Sequence, residues 1–352
     1  FIDAAASYTR QTVSAFGVQS TPTLAPTGNQ TDAATASITP RIRGRLAPTV
    51  RYDGRVSVAA TRAKDTDAGD VDSGYALLSL DGDAAGSPLR WRALAQYDNT
   101  DYLAGRRTFD SRLKAGLGYL FTRELKLGLS AGAERTNLRV REGETVSTAG
   151  FDAEWTPTER TLLAASIEKR FFGTGHSVQF SHRTPRTAWT IADSRDVSSA
   201  TQPGGTAAFG SAYDLYFRQF ASTEPDPIKR DVLVRDYMQT NGIDPNAAVA
   251  GGFLAQAVTL VRTQSASFGL VGVRNSVTLR AARTRSQRVD EIVSVNDDLN
   301  RSSVIKQLGF WLDIAHRLTP TSALTATAGY QRTEGDADAQ GSTLKSVALG
   351  WA

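Results

Sequence analysis

The stretch from Phe109 to Phe121, FDSRLKAGLGYLF, decides the fold because its residues alternate in polarity throughout. One set consists of Phe109, Ser111, Leu113, Ala115, Leu117, Tyr119 and Phe121. The other set consists of Asp110, Arg112, Lys114, Gly116 and Gly118. Successive side chains of a β-strand point to opposite faces, so this stretch predicts a strand with one apolar face and one charged or bare face.

The same alternation recurs along the whole chain, for example in 125–134 (LKLGLSAGAE) and 324–331 (LTATAGYQ). We count about sixteen such segments, many of roughly 10–14 residues. Ordinary strands have about 5–6 residues, whereas a tilted strand that crosses a bilayer needs about ten. The sequence therefore predicts an all-β protein, with residues 1–352 forming a single transmembrane antiparallel up-and-down β-barrel.

The predicted connections between strands alternate between short and long. Short ones such as 122–123 and 184–185 are followed by longer ones, as expected for periplasmic turns and extracellular loops. The longest is 198–253. Within it, Asp226-Pro227 and Asn241-Gly242 predict the start and end of a helix near 227–241. We expect this loop either to fold inward as a plug or to cover the mouth as a lid.

Composition excludes several classes of protein. With 40% hydrophobic and 22% charged residues, the chain is too apolar for disorder and too charged for a helical membrane bundle. The absence of Cys excludes disulfides and thiolate sites, and three His argue against a metal cluster, so we expect no metal and no cofactor. A net charge of +4, from 40 basic and 36 acidic residues, is too even to indicate a nucleic-acid partner.

The charged face of the strands is expected to line an aqueous pore, because about sixteen strands enclose a lumen too wide for side chains to fill. The predicted pore-lining residues are Arg41, Arg43, Arg51, Asp53, Arg55, Arg90, Arg92, Asp110, Arg112, Lys114, Lys126, Asp152, Glu154, Glu168 and Arg170. Asp98 and Glu134 fall on the same face. The basic excess favours anionic solutes. The alternative is a lattice of mutually paired charges that keeps the wall wet and rigid.

Aromatic residues on the apolar face lie near the predicted strand ends. Two aromatic girdles are typical of lipid-embedded barrels, because amphipathic rings favour the headgroup level. The predicted lipid-interface aromatics are Tyr97, Phe109, Tyr119, Trp155, Trp189, Tyr330 and Trp351. The alternative is that these rings belong to an ordinary protein core.

Two neighbouring stretches carry a family resemblance. Lys169–Gly173 (KRFFG) and Ser177–Trp189 (SVQFSHRTPRTAW) resemble the PEP-CTERM system-associated outer-membrane β-barrel family of exopolysaccharide gene clusters. The resemblance implies a bacterial outer-membrane protein for export or assembly of a secreted polysaccharide, with a periplasmic polysaccharide-export protein as partner. Members of the family continue for another hairpin beyond the equivalent of Leu349–Ala352, so we expect sixteen strands, or eighteen if a hairpin is missing.

Four functions are compatible with these patterns. The first is a conduit for a secreted exopolysaccharide, embedded in outer-membrane lipid and lipopolysaccharide. The second is a general or small-solute porin. The third is an outer-membrane enzyme, for which His176 beside Ser177 and Thr174 is the candidate base. The fourth is a scaffold that presents surface loops. The sequence assigns no catalytic residue, and we expect no enzyme activity.

Overall fold

A computed structural model gives the structure of the chain. It describes residues 1–18, 27–64, 70–83, 87–103, 106–198, 213, 217, 220, 227–240, 258–289, 298–319, 322–336 and 341–351. Within these residues, no helix combines the length and the apolar character needed to span a membrane.

The described residues form sixteen strands and two helices. The strands are β1 Ile2–Thr12, β2 Gln30–Ala47, β3 Val50–Ala63, β4 Val71–Asp83, β5 Leu89–Tyr102, β6 Arg107–Leu120, β7 Leu125–Thr136, β8 Glu144–Thr158, β9 Thr161–Arg170, β10 Gly173–Arg183, β11 Thr187–Ser198, β12 Thr259–Val271, β13 Asn275–Arg288, β14 Val304–Thr319, β15 Ser322–Glu334 and β16 Gly341–Trp351. The helices are α1 Pro227–Thr240 and α2 Asp298–Arg301.

All sixteen strands belong to one sheet in which each strand pairs with its neighbour in the sequence. Every pairing is antiparallel, as in the β5–β6 register of Trp91 with Leu117 and Gln96 with Arg112. The predicted antiparallel up-and-down fold of about sixteen strands is confirmed. Long alternating segments favour this fold because pairing in one register places all their apolar side chains on one face of the sheet and all their polar side chains on the other.

The polar face of the sheet is concave. Lys114 on β6 places its Nζ 3.0 Å from Glu168 Oε1 on β9, although β7 and β8 lie between these strands. Side chains three strands apart can meet only on the inside of a curved sheet. The outer face carries exposed apolar side chains such as Leu113, Leu117 and Leu129. An apolar surface of this extent requires a lipid environment.

The two ends of the sheet approach each other at one rim. Ser14, just after β1, donates from Oγ to Asp298 Oδ1 of α2 at 2.9 Å. Ser342 of β16 donates to the carbonyl oxygen of Ala15 at 3.4 Å. In the part of the chain that the structure describes, no backbone ladder pairs β1 with β16. The sheet therefore curves into a barrel, and at this rim the residues that follow β1 contact both α2 and β16.

The rims differ in the length of their connections. At one rim lie the longest ones, 13–29, 199–258 and 289–303, whereas β2–β3, β8–β9 and β10–β11 are joined at the other rim by two or three residues. In outer-membrane barrels the long connections are extracellular and the short turns periplasmic. These rims are called the extracellular end and the periplasmic end below. The chain is an outer-membrane β-barrel.

Candidate functional site

Helix α1 lies inside the barrel. Its side chains Val234 and Met238 are fully buried and pack against Val271 of β12. Val271 pairs with Ser276, and both belong to the concave face, as the register places them with the inward Arg280. Tyr237 of α1 also hydrogen-bonds Ser276. The structure therefore seats α1 against the inner wall of β12 and β13.

The position of α1 along the barrel axis is unexpected. The connection 199–258 starts and ends at the extracellular end, yet Val271 and Ser276 lie at the periplasmic ends of β12 and β13. Between Thr259 and Val271, β12 covers roughly 40 Å at about 3.3 Å per residue. Helix α1 therefore contacts the wall nearly a full strand length away from the end at which its connection attaches. Of the predicted long loop 198–253, only residue 198, the helix and residues 213, 217 and 220 lie within the described part of the chain.

Tyr213, Phe217 and Phe220 pack against the same buried pair, Val234 and Met238. The Tyr213 hydroxyl donates to Asp231, and this bond together with Arg235, whose Nε lies 2.9 Å from Asp231 Oδ1, lowers the pKa of Asp231. The rings of Phe220 and Tyr237 are 5.1 Å apart. Burial raises the pKa of the Tyr237 hydroxyl, and the bond to Ser276 partly offsets that rise. The helix is a packed element and not a loose loop.

The lumen is filled on one side and open on the other. Inward side chains of β13 to β15, including Thr278, Arg280, Gln307 and Thr333, are buried. Inward side chains of β3 and β5, including Arg51, Arg90 and Arg92, are exposed. Water therefore reaches the inward arginines near the periplasmic ends of β2, β3 and β5, called the open wall below, whereas the inward side chains of β13 to β15 are covered.

A buried ion cluster lies on the inner wall towards the extracellular end, with Arg170 at its centre. Its guanidinium binds Glu134 of β7, with Nε 3.1 Å from Oε1, and Asp196 of β11, with Nη1 2.5 Å from Oδ1. It also lies 3.6 Å from Asp110 Oδ2 of β6. Arg112 Nε approaches the same carboxylate oxygen at 2.9 Å. The cluster joins strands that are not neighbours, so it fixes the curvature of this part of the wall.

The KRFFG motif builds this cluster through a tight turn. Phe171 and Phe172 connect β9 to β10, with their rings edge to face at 5.3 Å and Arg170 stacked 5.0 Å over Phe172. Gly173 follows with a φ of +98°. Side-chain-bearing residues rarely adopt this backbone conformation, so glycine is needed here to return the chain immediately.

The structure places all fifteen predicted pore-lining residues on the concave face, as the strand registers show. Most of them are paired. The ion pairs are Arg41–Asp53, Arg92–Asp81, Arg112–Asp110, Lys114–Glu168, Lys126–Glu154 and Arg170–Glu134. Ion pairs therefore cover much of the inner wall, and the rest of it carries an excess of basic side chains.

Four of the predicted pore-lining arginines lack a carboxylate within ion-pair distance among the described residues: Arg43, Arg51, Arg55 and Arg90. Arg55 instead donates to the Tyr75 hydroxyl at 3.1 Å. All four are exposed. This side of the lumen therefore presents positive charge to water.

Sequence reasoning missed several inward charges. Asp196, which completes the Arg170 cluster, and the buried pair of Arg280 with Asp313, at 2.6 Å, were not among the predicted pore-lining residues. The alternation of Thr278, Arg280 and Ala282 on β13 is the signal that could have identified Arg280.

The three histidines are separate. His176 Nε2 lies 3.2 Å from Asp193 Oδ1, and His182 Nδ1 lies 2.9 Å from the Thr161 hydroxyl. The third, His316, contacts Asn275 at 2.5 Å. The register puts His176 on the outer face opposite Ile167, so the side chain of its neighbour Ser177 points into the lumen. The two side chains considered together in the sequence therefore face opposite sides of the wall.

The predicted interface aromatics all lie on the outer face. Tyr97 and Tyr119 share it with Leu113, and Trp189 packs on Phe268 with ring centres 4.4 Å apart. Exposed members of the set are Tyr97, Tyr119, Trp155, Trp189 and Trp351. Phe109 and Tyr330 are half-buried. Their contact with lipid headgroups stays a prediction.

Comparisons with known proteins find no matching family model and no matching curated protein. Among solved structures, the siderophore receptor PirA from Pseudomonas aeruginosa is similar over 91% of this chain and 64% of its own, at 12% identity and a TM-score of 0.40. PirA from Acinetobacter baumannii gives the same coverage, 91% and 64%, at 9% identity and a TM-score of 0.41.

A third similar structure is Wzi, an outer-membrane protein involved in group 1 capsule assembly in Escherichia coli and a carbohydrate-binding β-barrel. It is similar over 100% of this chain and 83% of its own, at 10% identity and a TM-score of 0.33. The chain spans about 64% of the length of the two PirA receptors. At these TM-scores the likenesses carry no information about what the barrel transports.

Proposed function

We propose that this barrel is an outer-membrane conduit for secretion of an exopolysaccharide, working with periplasmic export components. The observation that carries the proposal is the divided lumen. Exposed arginines near the periplasmic ends of β2, β3 and β5 lie across the lumen from a wall that α1 covers at its periplasmic end. The resemblance of Lys169–Gly173 and Ser177–Trp189 to the PEP-CTERM system-associated barrel family supports the same function.

The chemistry of the open wall suits a hydrated polymer. Arg51, Arg90 and Arg92 are exposed donors, and Asp152 is an exposed acceptor on the same face. A sugar chain can slide along such a wall because each hydrogen bond that breaks is replaced by one to a neighbouring side chain or to water. The arginines without a carboxylate partner favour a polymer that carries acidic groups.

The contact between α1 and the inner wall is small enough for the helix to be displaced from the passage. Two buried apolar side chains, Val234 and Met238, provide the core of its contact with the wall. Full burial of such a side chain contributes about 1.5–3 kcal/mol, so releasing both costs roughly 3–6 kcal/mol. A cost of this size keeps the resting passage narrow and can be met by binding of an export partner or a polymer.

The test is single-channel recording of the purified barrel in planar bilayers with dextran sulfate and neutral dextran of matched length. We expect step conductance that dextran sulfate blocks from the periplasmic side more strongly than dextran does. The variant Val234→Asp, which loosens α1, should show the same preference at higher conductance. If both proteins are electrically silent, or if neither polymer changes the current, the conduit is refuted.

A small-solute porin is the second candidate, favoured by the unpaired arginines of the open wall. It predicts rapid swelling of proteoliposomes in small sugars, with no blockade by either dextran. That outcome would replace the polymer conduit with a porin.

A further inference from the structure

The outer face of β12 to β15 carries a group of basic side chains near the extracellular end. These residues, Arg262, Arg283, Arg285, Lys306 and Arg332, are called the rim patch. All five are exposed. The register places them on the outer face, because Arg283 pairs with Leu308 and Leu308 pairs with Arg332, two residues from the outward pair Phe310–Tyr330.

The rim patch contains like charges directly opposite each other. Arg262 pairs with Arg285, and Arg285 pairs with Lys306, so three cations form a row across three neighbouring strands. Side chains in such positions have Cβ atoms about 4.5–5.5 Å apart, and like charges there destabilise a sheet. A bound anion would therefore relieve the repulsion between these cations.

The acidic neighbours of the rim patch are already engaged. Asp193 binds Arg262, with Oδ2 2.6 Å from Nη2, and also contacts His176. Glu334, opposite Lys306, is bound by Arg332. Among the residues that the structure describes, no carboxylate lies within ion-pair distance of Arg283, Arg285 or Lys306. These three cations are left facing outward.

An apolar groove of about 640 Å³ adjoins the rim patch on its membrane side. Its walls include the pair Trp189 and Phe268 on one side and the pair Phe310 and Tyr330 on the other, with ring centres 4.4 and 6.5 Å apart. Ala281 lies between these two pairs on β13, and its small side chain forms the bottom of the groove. Ala281 is two residues from Arg283 on the same face, so the groove and the cations are continuous.

The opposite side of the barrel also has an apolar groove, of about 620 Å³, lined by Ile42, Val56 and Leu113, but the described charges beside it are arranged differently. At the same end of β3 and β4, the outward residues Arg62 and Asp72 form an ion pair with an N–O distance of 2.8 Å. On β5 and β6, Asp101 and Arg107 lie directly opposite each other. Opposite charges therefore face each other there, whereas in the rim patch Arg262, Arg285 and Lys306 place like charges directly opposite each other.

We propose that the rim patch and its groove form a binding site for a phosphorylated, multiply acylated glycolipid of the outer leaflet. Guanidinium groups bind phosphate oxygens in a bidentate way, and two arginines with a lysine match a head that carries more than one phosphate. The groove takes an acyl chain of the same molecule. The site is on the outside of the wall and is independent of what the lumen carries.

The test is native mass spectrometry and titration of the folded barrel in detergent with bisphosphorylated lipid A. The test variant is the triple substitution R283Q/R285Q/K306Q, and the control is R62Q/R107Q/R135Q on the outer face of the opposite side. A difference in gel mobility between heated and unheated samples verifies that each protein is folded. We expect affinity to fall at least tenfold in the test variant and less than twofold in the control.

Two further arms identify the source of the phosphate and the role of the groove. Lipid A stripped of its phosphates should bind at least tenfold more weakly, and inorganic phosphate at millimolar concentration should not displace the lipid. Ala281→Trp, which fills the groove, should weaken binding, whereas Ala115→Trp on the outer face of β6 should not. Equal losses in test and control variants, or equal binding of the dephosphorylated lipid, would overturn the proposal. Displacement by inorganic phosphate would likewise reduce the site to a simple anion site and overturn it.

Discussion

Arg170 on β9 donates from Nε to Glu134 Oε1 on β7 across 3.1 Å, passing over the intervening strand β8. The side chains are 4% and 0% exposed, so each is the main charge compensation of the other. Loss of one partner from such a pair leaves a buried charge without compensation.

Replacement of Arg170 by methionine should therefore destabilise the barrel strongly. We expect the free energy of unfolding to fall by about 3–5 kcal/mol, the usual cost of breaking a buried ion pair. Urea unfolding in detergent micelles, followed by tryptophan fluorescence, measures this change. Arg92→Met is the control, because Arg92 is 68% exposed in its pair with Asp81 and its loss should cost roughly 0–1 kcal/mol. Similar costs for the two variants would show that the cluster does not stabilise the wall.

Helix α1 should dissociate from the inner wall when a charge is placed in its buried contact with β12. Val234→Asp puts a carboxylate against Val271, and we expect higher single-channel conductance and faster proteolysis within 227–240. Val232→Asp is the matched control, because Val232 on the same helix is 65% exposed and should change neither property. Unchanged conductance in Val234→Asp would mean that α1 does not obstruct the passage.

The turn at Gly173 should not tolerate a side chain. Its φ of +98° is strained for any residue with a Cβ, so Gly173→Ala is expected to destabilise the barrel by about 1 kcal/mol or more. Gly74→Ala is the control, since Gly74 has open space around it and no positive φ. Thermal unfolding in detergent distinguishes them. A variant at Gly173 that is as stable as the one at Gly74 would contradict this account of the KRFFG motif.

The open wall should set the ion selectivity of the barrel. Arg51→Glu with Arg90→Glu replaces two exposed lumen arginines, and we expect the reversal potential in a salt gradient to move towards cation selectivity. Arg135→Glu, exposed on the outer face, changes the net charge without touching the lumen. If Arg135→Glu moved the reversal potential equally, the exposed arginines of the lumen would not set the ion selectivity.

The hydrogen bonds of Asp336 with Ser302 and Ser303 should persist until the pH is strongly acidic. Bonds from both hydroxyls, together with the Ser303 backbone NH at 3.0 Å, lower the pKa of Asp336 to about 2. A carboxyl with a lowered pKa contributes stability that is complete above its ordinary value of about 3.9 and is lost as the pH falls through about 2. Carbonyl NMR titration of Asp336 measures this directly. Ser302→Ala with Ser303→Ala should move the midpoint back towards 3.9, and an unmoved midpoint would exclude the hydroxyls as the cause.

The alternation of single strands predicts the fold and the lumen face because it is a local property. In β6, Asp110, Arg112 and Lys114 fall on one face whatever surrounds the strand, and the structure places all three in the lumen. The contact of Arg170 with Asp196 depends on strands that are distant in sequence, so no local pattern indicates it.

Two features escape the sequence pattern for different physical reasons. The seat of α1 is fixed by a small cluster around Val234 and Met238, and the sequence predicts the helix but not the wall that it packs on. The rim patch was missed because both faces of β13 are polar near its extracellular end, where Arg283 and Arg285 alternate with Thr284 and Ser286. With polar residues on both faces, alternation no longer distinguishes inside from outside.

The descent of α1 from the extracellular end gives the barrel a direction. Both tethers of the helix attach at that end, at Ser198 and Thr259, while its buried contact lies near the opposite rim. The interior of the barrel is therefore asymmetric along its axis: the helix contacts the wall near one rim while its connection joins the wall at the other.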